Sequence, residues 1–203
     1  MNKGEKEMQK QKPKKCDAAE SDLCRLDQNS FNPYPSQKLS IKITLISLFA
    51  ALTIGMSYTL APLINVEVMS VILFIAGFLY GKYVGIFVGL ISSAIYYGWN
   101  PFGVPALPIY IACVGCMTFI GFIGGSLKFS ETQSTKIHYS KSTIGKFAFI
   151  GFAYTLLFDI LTNLVFAYCY YGGNVMFAFI YGFPFMLIHI ISNTIIFFIA
   201  FSL

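Results

Sequence analysis

The sequence predicts an all-α integral membrane protein, a bundle of six transmembrane helices with both termini cytoplasmic and a disordered N-terminal tail. Of the 203 residues, 56% are hydrophobic and only 11% are charged, whereas soluble domains average about 45–50% apolar and about 25% charged residues. Residues 1–42 hold nine Lys/Arg and six Asp/Glu, while residues 43–203 hold five Lys and three acids. This distribution excludes an ordinary cytosolic globule, a fully disordered chain and a secreted disulfide scaffold.

The tail comprises residues 1–40, which mix both charge signs and contain no apolar run. Such a segment cannot bury enough apolar surface to offset its ordering entropy, so we expect a disordered cytoplasmic extension. It lacks the apolar stretch of a signal peptide. The lysines between positions 10 and 15 either contact anionic lipid or remain solvated. The membrane domain then covers residues 41–203.

Apolar windows define the spans, because a membrane-crossing helix needs about 20 largely apolar residues. The second and third windows are short and are joined by a tight turn at Gly81-Lys82-Tyr83. A re-entrant hairpin at this pair, leaving four full spans, stays open as an alternative. The six predicted spans are about 43–63, 65–81, 84–99, 106–127, 147–170 and 176–201.

Charge predicts the orientation in the cell membrane. With the N-terminus inside, the inner connections are Lys82 and the segment 128–146, which carries four lysines. The outer connections, at about 64–65, 100–105 and 171–175, contain neither Lys nor Arg. This arrangement obeys the positive-inside rule, and it places both termini in the cytoplasm.

Few polar side chains lie within the predicted spans, and such residues are costly in a bilayer and usually face the bundle interior. Asp159 and Asn163 lie one turn apart on the fifth span, and His189 and Asn193 lie one turn apart on the sixth. Residues at i and i+4 share a helix face, so each helix presents one polar stripe. Glu67 enters at the outer end of the second span. These residues either line a pocket open to the outside or form hydrogen bonds that tie helices together.

Several chemistries are not indicated by the sequence. Neither a Walker A motif nor an HExxH motif occurs, and Ser192, three residues after His189 on the same helix, is poorly placed as a nucleophile. We therefore expect a protein that is not an enzyme, with no metal, no cofactor and no nucleic-acid partner. The CxxC of Cys113 and Cys116 lies within an apolar helix, so packing is the favoured interpretation.

The first span carries a stripe of small residues, Ser47, Ala51 and Gly55. Small side chains at this spacing let helices approach closely, in the same chain or in a partner.

Several short sequence segments within residues 40–203 resemble those of the S component, the substrate-binding membrane subunit of energy-coupling factor (ECF) importers, which are ABC-type vitamin uptake systems. The segments are AALTIG in the first span, GFLYGKYVGIFVGLISS through spans two and three, the NPFG outer loop, FDILTN in the fifth span and LIHIISN in the sixth. The absence of an ATPase motif agrees with such a role.

The resemblance implies capture of a water-soluble vitamin or related micronutrient from outside and its delivery through a T component driven by two cytoplasmic ATPases. It implies docking through an AxxxA face of the first span, at Ala51, where Gly55 replaces the second alanine. Aromatic residues, Trp99 and Tyr110 among them, would suit a flat ring beside the carboxylates of Asp159 and Glu67. A scaffold membrane protein without a ligand pocket is the alternative. It predicts that Asp159 pairs with His189 and that no cavity lies between the last three helices.

Overall fold

The computed structural model describes residues 35–63, 65–127 and 141–202, and the regular secondary structure within these ranges is six helices with no strand. The predicted tail, except its last residues, and the inner lysines at positions 128 and 136 lie outside the described residues. The helices are α1 (Pro35–Leu60), α2 (Met69–Tyr80), α3 (Lys82–Gly98), α4 (Leu107–Ser126), α5 (Lys141–Tyr170) and α6 (Val175–Ser202).

Within the described residues, four helices are long and apolar enough to cross a membrane. They are α1, α4, α5 and α6. Helix α2, with 12 residues, is about 18 Å long, less than the roughly 30 Å of a bilayer's hydrocarbon core. Gly81 is the single residue between α2 and α3, and its φ of 94° is a conformation that favours glycine. The tight connection predicted at Gly81-Lys82-Tyr83 is therefore made by Gly81 alone, and Lys82 and Tyr83 belong to α3.

Helix α4 occupies the centre of the bundle and packs against α2, α3 and α5, while α6 packs along α5. Glycines permit the closest of these contacts. A Cβ at Gly121 on α4 would overlap the backbone of Gly85 on α3, and a Cβ at Gly77 on α2 would overlap that of Gly121. Three helix backbones therefore approach one another around Gly121, as small residues allow in membrane proteins.

Aromatic side chains fill one end of the bundle. Phe147 at the start of α5 stacks on Phe201 at the end of α6, with ring centroids 3.9 Å apart. Phe74 of α2 meets both rings edge-on. We call the opposite end, which carries the connections 61–68, 99–106 and 171–174, the cavity end.

Helix α1 is the least embedded of the four long helices. Only 11% of its most apolar window is buried, compared with 39% in α4. Its buried residues are small, namely Ala50, Thr53 and Ser57. The predicted stripe of Ser47, Ala51 and Gly55 is exposed, so it does not mediate packing within the described chain.

Candidate ligand-binding site

A buried contact between an imidazole and a carboxylate joins the last two helices. Nδ1 of His189 on α6 lies 2.8 Å from Oδ1 of Asp159 on α5, and both residues are 6% exposed. On the other side of the imidazole, Nε2 lies 3.8 Å from Oε2 of Glu67, in the connection between α1 and α2. His189 therefore lies between two carboxylates that come from different parts of the chain.

Asn193 extends this polar cluster by one helical turn. Its Nδ2 donates to the hydroxyl of Thr155 on α5 at 2.9 Å, and its Oδ1 accepts from the hydroxyl of Ser70 on α2 at 3.0 Å. The same amide nitrogen lies 3.4 Å from Nε2 of His189. Asn193 thus ties three helices together in a place without exposure to solvent.

Ser70 and Thr155 are absent from the site predicted by sequence. The signal for them is spacing, since Thr155 lies four residues before Asp159 and Ser70 three residues after Glu67, each on the same helical face or its continuation. Their residue type alone is uninformative. Ser92 and Ser93 are also buried, and their hydroxyls donate to backbone carbonyls of their own helix.

Three buried polar atoms in or near the cluster have no hydrogen-bond partner among the described residues. They are Oε2 of Glu67, Oδ2 of Asp159 and the hydroxyl of Tyr97 on α3. Buried polar groups are almost always paired, so each exception requires an explanation. The Tyr97 hydroxyl lies near enough to Glu67 to act on its carboxyl group. Oδ2 of Asp159, which flanks His189, is therefore the atom for which the described residues supply no donor.

The electrostatics of Glu67 follow from this placement. Its side chain is 26% exposed although Oε2 is buried. Loss of hydration raises the pKa of Glu67 above its usual range, the nearby imidazole of His189 opposes this shift, and the charge of Asp159 reinforces it. Desolvation disfavours the charged form of any carboxyl group, so Glu67 holds its proton more readily than an exposed glutamate does.

Two cavities open at the cavity end, one on each side of the cluster. The Glu67 cavity, of about 410 Å³, lies between the end of α1 and the connection that follows it, and Tyr96 and Phe102 contribute to its wall. The α5–α6 cavity, of about 530 Å³, reaches Asp159 and Asn163. Both volumes fall within the roughly 300–1,000 Å³ of small-molecule sites.

Asn65 lines both cavities and forms part of the partition between them. Its side chain donates to the carbonyl of Phe185 at 2.9 Å, and its own carbonyl accepts from the Ser192 hydroxyl at 2.8 Å. Its φ of 56° lies in the left-handed region, which asparagine tolerates better than most residues. The connection between α1 and α2 is thereby fastened to α6.

The structure brings Glu67, Asp159, His189 and Asn193 into one cluster, with Asn163 beside it. Asn163 donates from Nδ2 to the Asp159 carbonyl at 2.8 Å and lines the α5–α6 cavity. A Cβ at Gly182 would overlap its Oδ1, so glycine at that position lets Asn163 lie close to α6.

Trp99 and Tyr110 are not brought to this cluster, and neither belongs to the residues that line the two cavities. Trp99 follows the last turn of α3, and its side chain is 72% exposed. The Tyr110 hydroxyl donates to the Ala94 carbonyl at 3.1 Å and joins α4 to α3. The aromatic residues that line the cavities beside the carboxylates come instead from α3, α5, α6 and the connections.

The hydroxyl of Ser192 donates to the backbone carbonyls of Asn65 and His189. It is therefore not directed at the imidazole, as a base-activated nucleophile would be. Within the described residues, no group of three His, Cys, Asp or Glu side chains has a geometry that holds a metal ion. Cys113 and Cys116 are buried and unpaired, in agreement with a packing role.

Comparisons with protein-family models, with curated proteins and with solved structures found no match to this chain. The resemblance to S components therefore stays a prediction from local sequence. The class that the fold itself defines is a helical protein with four helices suited to crossing a membrane. Its function has to be argued from the cluster and the cavities.

Proposed function

We propose that this chain is the substrate-binding S component of an ECF-type importer, which captures a water-soluble vitamin or related micronutrient from outside the cell. The observation that carries the proposal is the α5–α6 cavity, which leads from the cavity end to the buried carboxylate of Asp159. Ligand sites combine a mostly apolar concave wall with a few convergent polar groups, and this cavity has both.

The proposal includes six crossings of the cell membrane with both termini cytoplasmic. An apolar face of α3 supports full crossing by the shorter helices, since its exposed side chains run from Tyr83 near one end to Ile95 near the other. Exposed apolar residues along a whole helix suit contact with lipid. Short segments are accommodated by local thinning of the bilayer.

The exposed face of helix α1 supports the proposed contact with a partner protein. Its small-residue stripe is exposed beside Leu48 and Leu52, and a Cβ at Gly55 would meet no atom within 4 Å. In this proposal the stripe docks on the T component, whose two cytoplasmic ATPases supply the energy. Small side chains would let the two helix backbones approach closely.

Co-purification of the tagged chain with an ATPase-bearing membrane partner tests this docking. We expect Ala51→Leu to abolish recovery of the partner, because the larger side chain separates the helices, while solute binding is unchanged. Ala153→Leu on the exposed face of α5 is the matched control and should leave recovery intact. Equal loss in both variants, or no partner with the unmodified chain, would contradict the proposal.

A scaffold protein without a ligand is the second candidate, because the direct bond between Asp159 and His189 is what that function predicts. The α5–α6 cavity is what it does not predict. A screen of soluble micronutrients by thermal unfolding of the purified protein separates the two. If the chain is a scaffold protein, none of these compounds should stabilise it, even after any co-purified molecule has been removed.

A further inference from the structure

The α5–α6 cavity also carries information about the charge of its ligand. Resting on the proposed function, we propose that the captured solute is an organic cation, bound in this cavity with its positive charge against Asp159. Charge, hydrogen-bonding capacity and wall chemistry each lead to this substrate class.

Acidic side chains outnumber basic ones at the cavity end. The connections 61–68, 99–106 and 171–174 contain no Lys or Arg, and neither do the residues that line the α5–α6 cavity. The nearest base is His189, whose Nδ1 is already bonded to Asp159. The cluster thus holds two carboxyl groups, those of Asp159 and Glu67, against one imidazole. An anionic solute would meet the carboxylate of Asp159 with neither Lys nor Arg to pair with, whereas a cationic solute would pair with that carboxylate.

The carboxylate of Asp159 needs a further hydrogen-bond donor. Asp159 uses Oδ1 for His189, but its buried Oδ2 has no partner among the described residues. The amide of Asn163 donates back to its own helix, and the Thr162 hydroxyl does the same. The side chains of Asn163 and Thr162 therefore bond to their own helix and not to the carboxylate of Asp159. An N–H group of the ligand would satisfy the carboxylate, and such charge-assisted bonds are the strong ones.

The walls suit an organic cation better than a bare ion. Four aromatic residues of α5, α6 and their connection line the cavity, and a positive charge over an aromatic face is attracted by the ring quadrupole. A volume of about 530 Å³ is that of a small-molecule site. This volume far exceeds that of a single inorganic cation. The four residues are Phe166, Tyr171, Tyr181 and Phe185.

The test uses the full chain in lipid nanodiscs and needs no variant at first. Thermal unfolding and calorimetry are measured with solutes sorted by charge: thiamine and phenethylamine as cations, pyridoxine and 2-phenylethanol as largely neutral compounds, and biotin, pantothenate and phenylacetate as anions. We expect saturable stabilisation by at least one cation and by no anion. Binding of an anion overturns the inference while the proposed function stands. The absence of any cation binding also overturns it, and the α1 docking experiment gives its result independently.

Two carboxamide variants then locate the charge. Asp159→Asn should weaken binding of the cation at least about tenfold, because it removes the charged partner of the solute. Glu67→Gln makes the same change from carboxyl to amide in the neighbouring cavity, and its effect should be several-fold smaller. An equal or larger effect of Glu67→Gln would overturn the assignment to the α5–α6 cavity. If Asp159→Asn does not fold, protection of Tyr181→Cys from maleimide by the cation provides the location, and absence of protection counts against it.

Discussion

Asn193 illustrates how a single amide joins three helices of a largely apolar bundle. Its side chain accepts from Ser70 and donates to Thr155, so α2, α5 and α6 meet at one residue. Replacing Asn193 by alanine would leave the hydroxyl groups of Ser70 and Thr155 without their interhelical partner. Buried hydrogen bonds are net stabilising by only about 0.5–1.5 kcal/mol each, but an unpaired buried group costs more.

We expect Asn193→Ala to lower the free energy of unfolding by about 1–2 kcal/mol. Denaturation in mixed micelles, followed by circular dichroism, measures the change. Asn163→Ala is the matched control, because its amide donates only to the carbonyl of Asp159 in its own helix. Asn163→Ala should lower the free energy of unfolding by less than about 0.5 kcal/mol. Similar losses in the two variants would show that Asn193 does not tie the helices together.

At the scale of helices, backbone proximity around Gly121 determines how α2, α3 and α4 fit together. Neither Gly85 nor Gly121 can accept a Cβ without displacing the backbone of the other. Gly115, on the same helix, has no atom within 4 Å of such a Cβ. The two positions therefore separate a steric requirement from the general effect of glycine in a helix.

Alanine should destabilise the protein at Gly121 but not at Gly115. Gly121→Ala forces two helices apart and should cost about 1–3 kcal/mol of unfolding free energy. Gly115→Ala meets open space and should be neutral or stabilising by up to about 1 kcal/mol, since alanine favours the helix. Thermal unfolding in the same detergent compares them. A destabilised Gly115→Ala together with an unaffected Gly121→Ala would refute the packing described for α4.

At the scale of the whole molecule, hydropathy was sufficient to predict the helices, because long apolar windows have few structural solutions in a bilayer. The i, i+4 spacing of Asp159 with Asn163 and of His189 with Asn193 predicted inward stripes, and the structure brings these two stripes together. Ser70 and Thr155 also have helical spacings to Glu67 and Asp159, but spacing alone does not single them out, because a hydroxyl in a helix bonds equally well to its own backbone.

The partition between the two cavities was beyond prediction, since it depends on the backbone conformation of Asn65 and its contact with Phe185. The direction of Trp99 was also inaccessible. It follows the end of α3, where helical periodicity no longer determines which way a side chain points. Sequence patterns thus predicted residues within helices better than residues in the connections.

The number of crossings is the remaining question at this scale, and it concerns α2 and α3. Three single cysteines in a chain whose five native cysteines are replaced distinguish six spans from a re-entrant hairpin. The positions are Phe102, Lys82 and Lys146, all exposed. With six spans, a membrane-impermeant maleimide should label Phe102→Cys on intact cells, and Lys82→Cys and Lys146→Cys only after permeabilisation. A hairpin would leave Lys82→Cys within the bilayer and poorly labelled in both conditions, while the other two positions react as before. Labelling of Lys146→Cys on intact cells would instead reverse the orientation, and it would place the proposed solute site on the cytoplasmic side.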